Sequence, residues 1–378
     1  MSRTVTTLSL SMLLSSLGTS IANVALPVLA EAFHAPFKQV QWVVVAYLIA
    51  VTALIVFAGR LGDRLGRRRL LLGGIVLFTA ASALCGIAPT LWLLVAARAL
   101  QGTGAAVMMA LTLAFVGESV PKEKTGSAMG LLGTTSAIGT ALGPSLGGLL
   151  IAGFGWRAIF FVMVPLGVAT LILAYSSLPA TTKQAAPPPI RLAMFRDRVL
   201  SSGFAMSTLV TSVVMATLVV GPFYLSGVLA LDAARVGLVM SCGPIVAALT
   251  GVPAGRLVDR FGSSRATMAG LLGMATGSAI LPMVPASIGI PGYVAPLAVI
   301  TAGYALFQAA NNTAVMAAVR ADQRGVVSGM LNLSRNLGLI AGASLMGAIF
   351  AAAGMGMTFA VATGLIVAAL AIAASSRE

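Results

Sequence analysis

The sequence predicts an all-α integral membrane protein of twelve transmembrane helices, arranged as two pseudo-symmetric six-helix bundles. Three observations predict it. Of 378 residues, 58% are hydrophobic and only 8% charged, with a mean hydropathy of +1.02. Soluble chains carry about 25% charged residues, so this much apolar surface must face lipid or pack against itself inside lipid. The apolar residues also run on continuously for roughly 20 residues at a time, the length a helix needs to cross about 30 Å of hydrocarbon. Strands of a membrane barrel would alternate over about ten residues instead. Finally, two segments recur at nearly constant offsets, which predicts an internal duplication.

The predicted spans cover residues 6–30, 41–58, 70–88, 91–116, 126–151, 157–178, 199–225, 234–254, 266–285, 292–318, 327–352 and 355–374. Basic residues orient them. With both termini in the cytoplasm, only Lys38, Arg157 and Arg235 of the 23 Lys and Arg fall outside, Arg98 and Arg335 lie within spans, and the other eighteen are cytoplasmic. That bias follows the positive-inside rule and requires an even number of crossings. The first apolar stretch runs to about Ala30, too long for a signal-peptide core, and is read as a retained first helix. The expected location is the plasma (inner) membrane, multi-pass.

The longest polar break is PATTKQAAPPPIRLAMFRDR, where three prolines, Pro187 to Pro189, stop any helix. It divides the chain into a first six-helix bundle at 1–178, a cytoplasmic linker at 179–198 and a second bundle at 199–378. The divided halves repeat. GSAMGLLGTTSAIGTALGPSLGG from Gly126 aligns with GVVSGMLNLSRNLGLIAGASLMG from Gly325, an offset of 199, and GRLGDRLG from Gly59 recurs as GRLVDRFG from Gly255, an offset of 196.

Composition excludes several function classes. The net charge of +14 is spread over short loops between apolar runs, which argues against a nucleic-acid partner. The one histidine, His34, makes no metal site, and Cys85 and Cys242 lie in apolar segments of different halves. No G-x-x-x-x-G-K stretch is present, so no ATP-binding P-loop is expected. No cofactor is implied. An intramembrane hydrolase would need a nucleophile–base, paired-acid or metal constellation that these residues do not supply. The loops are too short to hold a sensing domain.

Several motifs carry more. Gly59-Arg60-Leu61-Gly62-Asp63-Arg64-Leu65-Gly66-Arg67-Arg68-Arg69 follows the second span. It resembles the signature loop between helices 2 and 3 of the major facilitator superfamily. The resemblance implies that Asp63 meets the start of helix 11, near Gly325 to Ser328, that Arg67 pairs with Glu118 at the end of helix 4, and that this network latches the cytoplasmic side. Asp259 is the second-half counterpart of Asp63. Leu94 to Gly104 (LVAARALQGTG) resembles the family's helix 4 motif, with Gln101 in register; helical rise puts Arg98 about 10 Å into the span. An arginine at that depth costs about 2.5–3.5 kcal/mol and therefore faces a cavity or a partner. Gly139-Thr140-Ala141-Leu142-Gly143-Pro144-Ser145-Leu146-Gly147-Gly148 resembles the helix 5 antiporter motif, with Pro144 bending the helix. Its counterpart in helix 11 has Ala343 at the proline position.

Leu17 to Pro27 (LGTSIANVALP), with Trp42 and Tyr47 downstream, resembles the start of drug:proton antiporters, and Leu331 to Gly338 (LNLSRNLG) their penultimate helix. Such relatives usually carry an aspartate where this chain has Gly18. The nine acidic residues all map to loops or span ends. A cavity with Arg98 and Arg335 but no carboxylate is electropositive and favours neutral or anionic cargo over lipophilic cations. Polar residues expected along the pathway are Asn23, Tyr47, Tyr224, Gln308, Asn311, Asn312, Asn332 and Asn336, beside Arg98, Gln101 and Arg335.

The resulting expectation is a monomeric, proton-coupled efflux antiporter of neutral or anionic amphipathic drugs or metabolites, working by alternating access in the lipid bilayer. The alternative is an organic-anion symporter or facilitator of the same fold. Reporter fusions at the two termini are expected to report the cytoplasm for both ends; ends on opposite sides would require an odd number of crossings.

Overall fold

The computed structural model describes residues 3–119, 125–178, 197–319 and 324–375. All regular structure among them is helical. The reason is the solvent: lipid offers backbone N–H and C=O groups no partner, and a helix satisfies them within one segment.

The first half begins with α1 (Arg3–Ala32), then α2 (Phe37–Val40) and α3 (Trp42–Leu65), which form one rod across helical Gln41. It continues with α4 (Arg67–Ile87), α5 (Leu91–Ser119), α6 (Thr125–Phe154), α7 (Ala158–Phe161) and α8 (Met163–Ser177). The second half holds α9 (Arg198–Gly227), α10 (Ala233–Met240), α11 (Cys242–Phe261), α12 (Ser263–Ile280), α13 (Ile290–Ala317), α14 (Arg324–Ala341) and α15 (Gly347–Ser375). A π-helical turn, Gly342–Met346, joins α14 to α15. Ten stretches among the described residues are long and apolar enough to cross a membrane, the last being Gly329–Ser375. That stretch breaks at Gly354 (φ 73°, ψ −173°), and α6 supplies one more rod, so the described helices account for twelve crossings.

Where helices end, the sequence says why. Gly66 (φ 92°) closes α3 and opens α4, and Gly262 (φ 82°) does the same between α11 and α12. Positive φ is strained for any residue with a Cβ, which is why glycine stands at both corners. The two glycines are separated by the offset of 196 that relates the two GRL motifs. The first motif was expected to be a loop. In the structure α3 stays helical through Gly59 and Gly62 to Leu65, and only Gly66 turns. At the start of α9, the Asp197 carboxylate accepts the amides of Val199 and Leu200 at 2.8 and 3.2 Å, satisfying donors that a helix start leaves free.

By internal packing the chain divides into two units, Met1–Pro188 with Asp232–Leu238, and Pro189–Leu231 with Val239–Glu378. Within the first, α1 packs along α6, and α5 packs between α3 and α4. Within the second, α9 packs along α14, and α13 packs against α12 and α11. Small residues allow these approaches. In the first unit, a Cβ on Gly104 of α5 would stand 2.6 Å from the Phe78 amide nitrogen and 2.8 Å from the Gly74 carbonyl oxygen of α4. In the second, a Cβ on Gly303 of α13 would stand 2.6 Å from the Gly270 carbonyl oxygen and 2.9 Å from the Met274 nitrogen of α12. Gly139, Gly143 and Gly147 abut α1 around Leu13 to Val24, and Gly338 and Gly342 abut α9 around Thr208 to Met215. The same two crossings are thus built twice.

Pro144 interrupts α6, and Ala343, 199 residues on, lies inside the π-helical turn. Each helix therefore carries an irregularity at the same register, one from a missing N–H and one from an extra residue in the turn.

Substituting Gly104 or Gly303 with Val is expected to cost about 1–3 kcal/mol through overpacking of facing backbones. Gly73→Ala, on an open face with nothing within 4 Å of a new Cβ, should be neutral or slightly stabilising. Melting temperatures of the purified variants in detergent check this; a Gly104→Val protein as stable as Gly73→Ala would contradict the packing.

Candidate functional site

Arg98 organises the interior of the first unit. It lies in the third turn of α5 and is 0% exposed. A guanidinium carries five N–H donors and no acceptor, so burial is tolerable only where protein oxygens surround it. Here they do. Nε donates to the Val43 carbonyl of α3 at 2.9 Å, Nη2 to the Gly18 carbonyl of α1 at 3.1 Å, and Nη1 to the Gln101 side-chain oxygen one turn along α5. The guanidinium carbon also stands 4.2 Å from the centre of the Tyr47 ring. Hydrogen bonds to a charged group contribute about 1.5–3 kcal/mol each, so three of them offset an insertion cost of about 2.5–3.5 kcal/mol.

The network extends outward. Gln101, also 0% exposed, donates its amide to Ser82 Oγ of α4 at 2.7 Å. Tyr47 is buried and donates its hydroxyl to the Ser15 carbonyl of α1 at 2.8 Å. Four helices are stitched through one cation: α1, α3, α4 and α5. Glycine makes room for it. A Cβ on Gly18 would lie 3.1 Å from the Tyr47 hydroxyl and 3.2 Å from the Phe78 ring, and Gly102 lets α5 lie against the backbone of Tyr47. The i, i+3 spacing of Arg98 and Gln101 was legible in the sequence. Ser82 and the three backbone carbonyls were not, since no residue type marks a carbonyl that an arginine will use.

The other residues singled out from the sequence are distributed as follows. Asn23 is buried in α1; its amide reaches the Thr19 carbonyl at 3.4 Å, and its Oδ1 has no partner among the described residues. Gly139, Gly143, Pro144, Gly147 and Gly148 are all buried in α6. Gly59 lies on α3, Gly66 at the corner, and half-buried Arg67 at the start of α4. The expected pairings of Asp63 with the start of α14 and of Arg67 with Glu118 fall on side chains outside the described residues, namely Asp63, Glu118, Val326 and Ser328. Asp259 is exposed two residues before the end of α11.

In the second unit, Asn332, Arg335 and Asn336 share one face of α14 at i, i+3 and i+4, all half-buried. The adjacent face, carrying Val327, Leu331 and Ser334, is buried, and Thr208 of α9 donates to the Ser334 carbonyl at 3.1 Å. Arg335 Nε is buried and has no hydrogen-bond partner among the described residues. Asn311 of α13 is buried and donates to the Gly203 carbonyl at 3.1 Å; Gln308 is half-buried and Asn312 exposed. Tyr224 stacks on buried Tyr293 with ring centres 5.8 Å apart. The polar set is therefore of two kinds: Arg98, Gln101, Tyr47 and Asn311 bind their own protein, whereas Arg335 keeps a donor unspent. Among the described residues the acidic side chains Glu31, Asp197, Asp232 and Asp259 are all exposed, so none compensates either arginine.

Arg98→Met is expected to lower the melting temperature markedly, because three hydrogen bonds from a charged group, each contributing about 1.5–3 kcal/mol, are lost together. Arg98→Lys should fall between, one ammonium being unable to reach α1, α3 and Gln101 together. Arg335→Gln should melt close to the parent. An Arg98→Met protein of parental stability that selectively loses anion transport would mean that Arg98 touches cargo instead of holding helices.

Known proteins resemble this chain throughout. The family model for the Major Facilitator Superfamily matches residues 8–343 and again 215–376. The riboflavin transporter RibZ of Clostridioides difficile is 27% identical over 390 residues, covering 89% of this chain and 86% of the relative. The multidrug resistance protein Stp of Mycobacterium tuberculosis is 27% identical, covering 88% and 72%, and the multidrug efflux pump LfrA of Mycolicibacterium smegmatis is 27% identical, covering 91% and 80%. Among solved structures, a bacterial homolog of the human lysosomal transporter Spinster superposes with a TM-score of 0.84 at 16% identity, over 99% of this chain and 96% of that one. The nucleoside transporter NupG does so with a TM-score of 0.81 at 14% identity, over 100% of both. These structures share the fold, and with the matched family model they place the protein: the chain is a membrane transporter belonging to the Major Facilitator Superfamily.

Proposed function

We propose that this transporter exports neutral or anionic amphipathic drugs or metabolites across the inner (plasma) membrane by alternating access, with protons as the coupling ion. The observation that carries the cargo's charge is the set of ionisable groups within the spans. Arg98 is wholly buried, Arg335 holds an unpartnered Nε, and the acidic side chains among the described residues stand exposed. A low-dielectric interior holding cations alone repels a cationic drug and attracts an anion or a strong hydrogen-bond acceptor. Of the two arginines, Arg335 is the proposed cargo contact, with Asn332 and Asn336 beside it on α14; Arg98 is proposed to position α1, α3 and α5.

Export is supported by the Gly139-to-Gly148 segment, which resembles the antiporter motif and packs tightly on α1, and by the likeness to two proteins named for multidrug resistance and efflux. Proton coupling comes from the resemblance to drug:proton antiporters. The second reading, an organic-anion symporter or facilitator, is favoured by the likeness to a protein named a riboflavin transporter together with the free donor on Arg335.

Expression in a susceptible host is expected to raise tolerance to a neutral antibiotic such as chloramphenicol. In proteoliposomes, flux is expected for neutral or anionic amphiphiles, to be weak for lipophilic cations, and to accelerate with an imposed pH gradient. Arg335→Gln should depress anion flux more than neutral flux. Preferential transport of cations would overturn the charge argument. Flux indifferent to the pH gradient would leave the facilitator reading.

A further inference from the structure

The second unit contains a small, largely apolar cavity away from the α14 face, walled by Val199, Met206, Ala314, Val315 and Ala373 with a polar strip along one side. It lies where the starts of α9 and α12 meet the ends of α13 and α15, which the basic loops predict to face the cytoplasm, and its volume is about 120 Å³. Drug-sized pockets occupy about 300–1,000 Å³, so this one is too small for the proposed cargo. Its polar lining is Ser202, Ser263, Ser264, Thr267 and Asn311.

Two independent features point to one kind of occupant. The first is the start of α12. Its N-cap is Gly262, which offers no side-chain cap, and its first turn holds no acid. The opening amides of a helix have no intrahelical partner and carry a partial positive charge that favours anions. The second is Thr267, one turn further along α12. It is 6% exposed, lines the cavity, and its hydroxyl makes no hydrogen bond among the described residues. Threonine in a helix commonly returns its hydroxyl to a carbonyl one turn back, as Thr250 and Thr276 do here at 2.7 and 2.9 Å. Thr267 does not, which leaves a donor in the cavity. Asn311, 3% exposed, spends one amide hydrogen on the Gly203 carbonyl and has a second to give.

Surrounding charge agrees. Arg265 in the first turn of α12 and Arg198 at the start of α9 are both exposed. Two carboxylates are near in sequence: Asp197, which accepts the amides of Val199 and Leu200, and exposed Asp259, four residues before Ser263.

We infer that this cavity is a seat for a phosphate-type oxyanion. The α12 amides, the Ser263 and Thr267 hydroxyls and the Asn311 amide would donate to it. Two sources supply that chemistry: free phosphate, and the headgroup phosphate of an anionic lipid in the cytoplasmic leaflet.

The test uses the full-length protein and two probes. Melting temperature is followed while sodium phosphate is titrated against sodium chloride of equal ionic strength. It is followed again in mixed micelles containing either dioleoylphosphatidylglycerol or dioleoylphosphatidylcholine. Comparison with variants removes the general salting effect of phosphate, which acts on all of them alike. The parent is expected to show a saturable rise of several degrees, and Thr267→Val to need at least tenfold more probe. Ser263→Asp is expected to melt higher than the parent without probe, because it places a carboxylate in the first turn of α12, and to lose the response. It therefore decides the matter even if Thr267→Val folds poorly. A response to phosphate in solution assigns the seat to the free ion; a response confined to phosphatidylglycerol assigns it to a headgroup. No response to either probe, or identical titrations in parent and Ser263→Asp, overturns the inference.

Discussion

A guanidinium inside a membrane protein must find protein oxygen for its donors, and this requirement shapes the first half of the molecule. Arg98 meets it by drawing carbonyls from α1 and α3 and an amide oxygen from its own helix. Those carbonyls become available only because Gly18 and Gly102 let the backbones come close. Gln101, having given its oxygen to Arg98, passes its amide to Ser82 and so ties in α4. Remove the cation and its hydrogen bonds to α1, α3 and Gln101 are lost together. The charge itself remains without a buried carboxylate beside it among the described residues, and that imbalance is what bears on the cargo.

The second half shows what the same frame does without the cation. Its α4–α5 and α1–α6 crossings recur as α12–α13 and α9–α14, with glycines at matching registers. Where the first half has Arg98, the offset of 199 leads to Leu297; where it has Gln101, to Ile300. Ser278 stands 196 residues after Ser82, is buried, and its Oγ finds no partner among the described residues, as expected once the amide that should meet it has become an isoleucine. The frame is therefore held by close backbone packing in both halves and additionally by a buried, hydrogen-bonded cation in the first. Arg335, the arginine within a span of the second half, lies instead on α14 and keeps an Nε unspent among the described residues.

Much of the fold was legible because lipid enforces simple rules. Apolar runs of the right length gave the crossings, and the two offsets gave the duplication. The limits of α3 were misjudged for a physical reason: GRLGDRL is charged and glycine-rich like a loop, yet nothing in it prevents helix bonding until Gly66 needs a positive φ. The motif glycines of α6 and Gly104 of the helix 4 motif stood out, whereas Gly74, Gly270 and Gly303 did not, since a glycine in an apolar run says nothing about what approaches it. Arg98 and Gln101 were marked by their cost in lipid. Whether they faced cargo or neighbouring helices depended on carbonyls that carry no sequence signature. The π-helical turn at Ala343 escaped for the same reason, as no residue there forbids an ordinary helix.

The central claim is that each guanidinium nitrogen of Arg98 is held by an oxygen of its own protein. Nitrogen-15 NMR of arginine-labelled protein in nanodiscs, following hydrogen exchange of the Arg98 side chain with and without a transported anion, addresses it directly. The account predicts slow exchange and a resonance that the anion leaves in place. Rapid exchange with water, together with a shift on adding the anion, would contradict it.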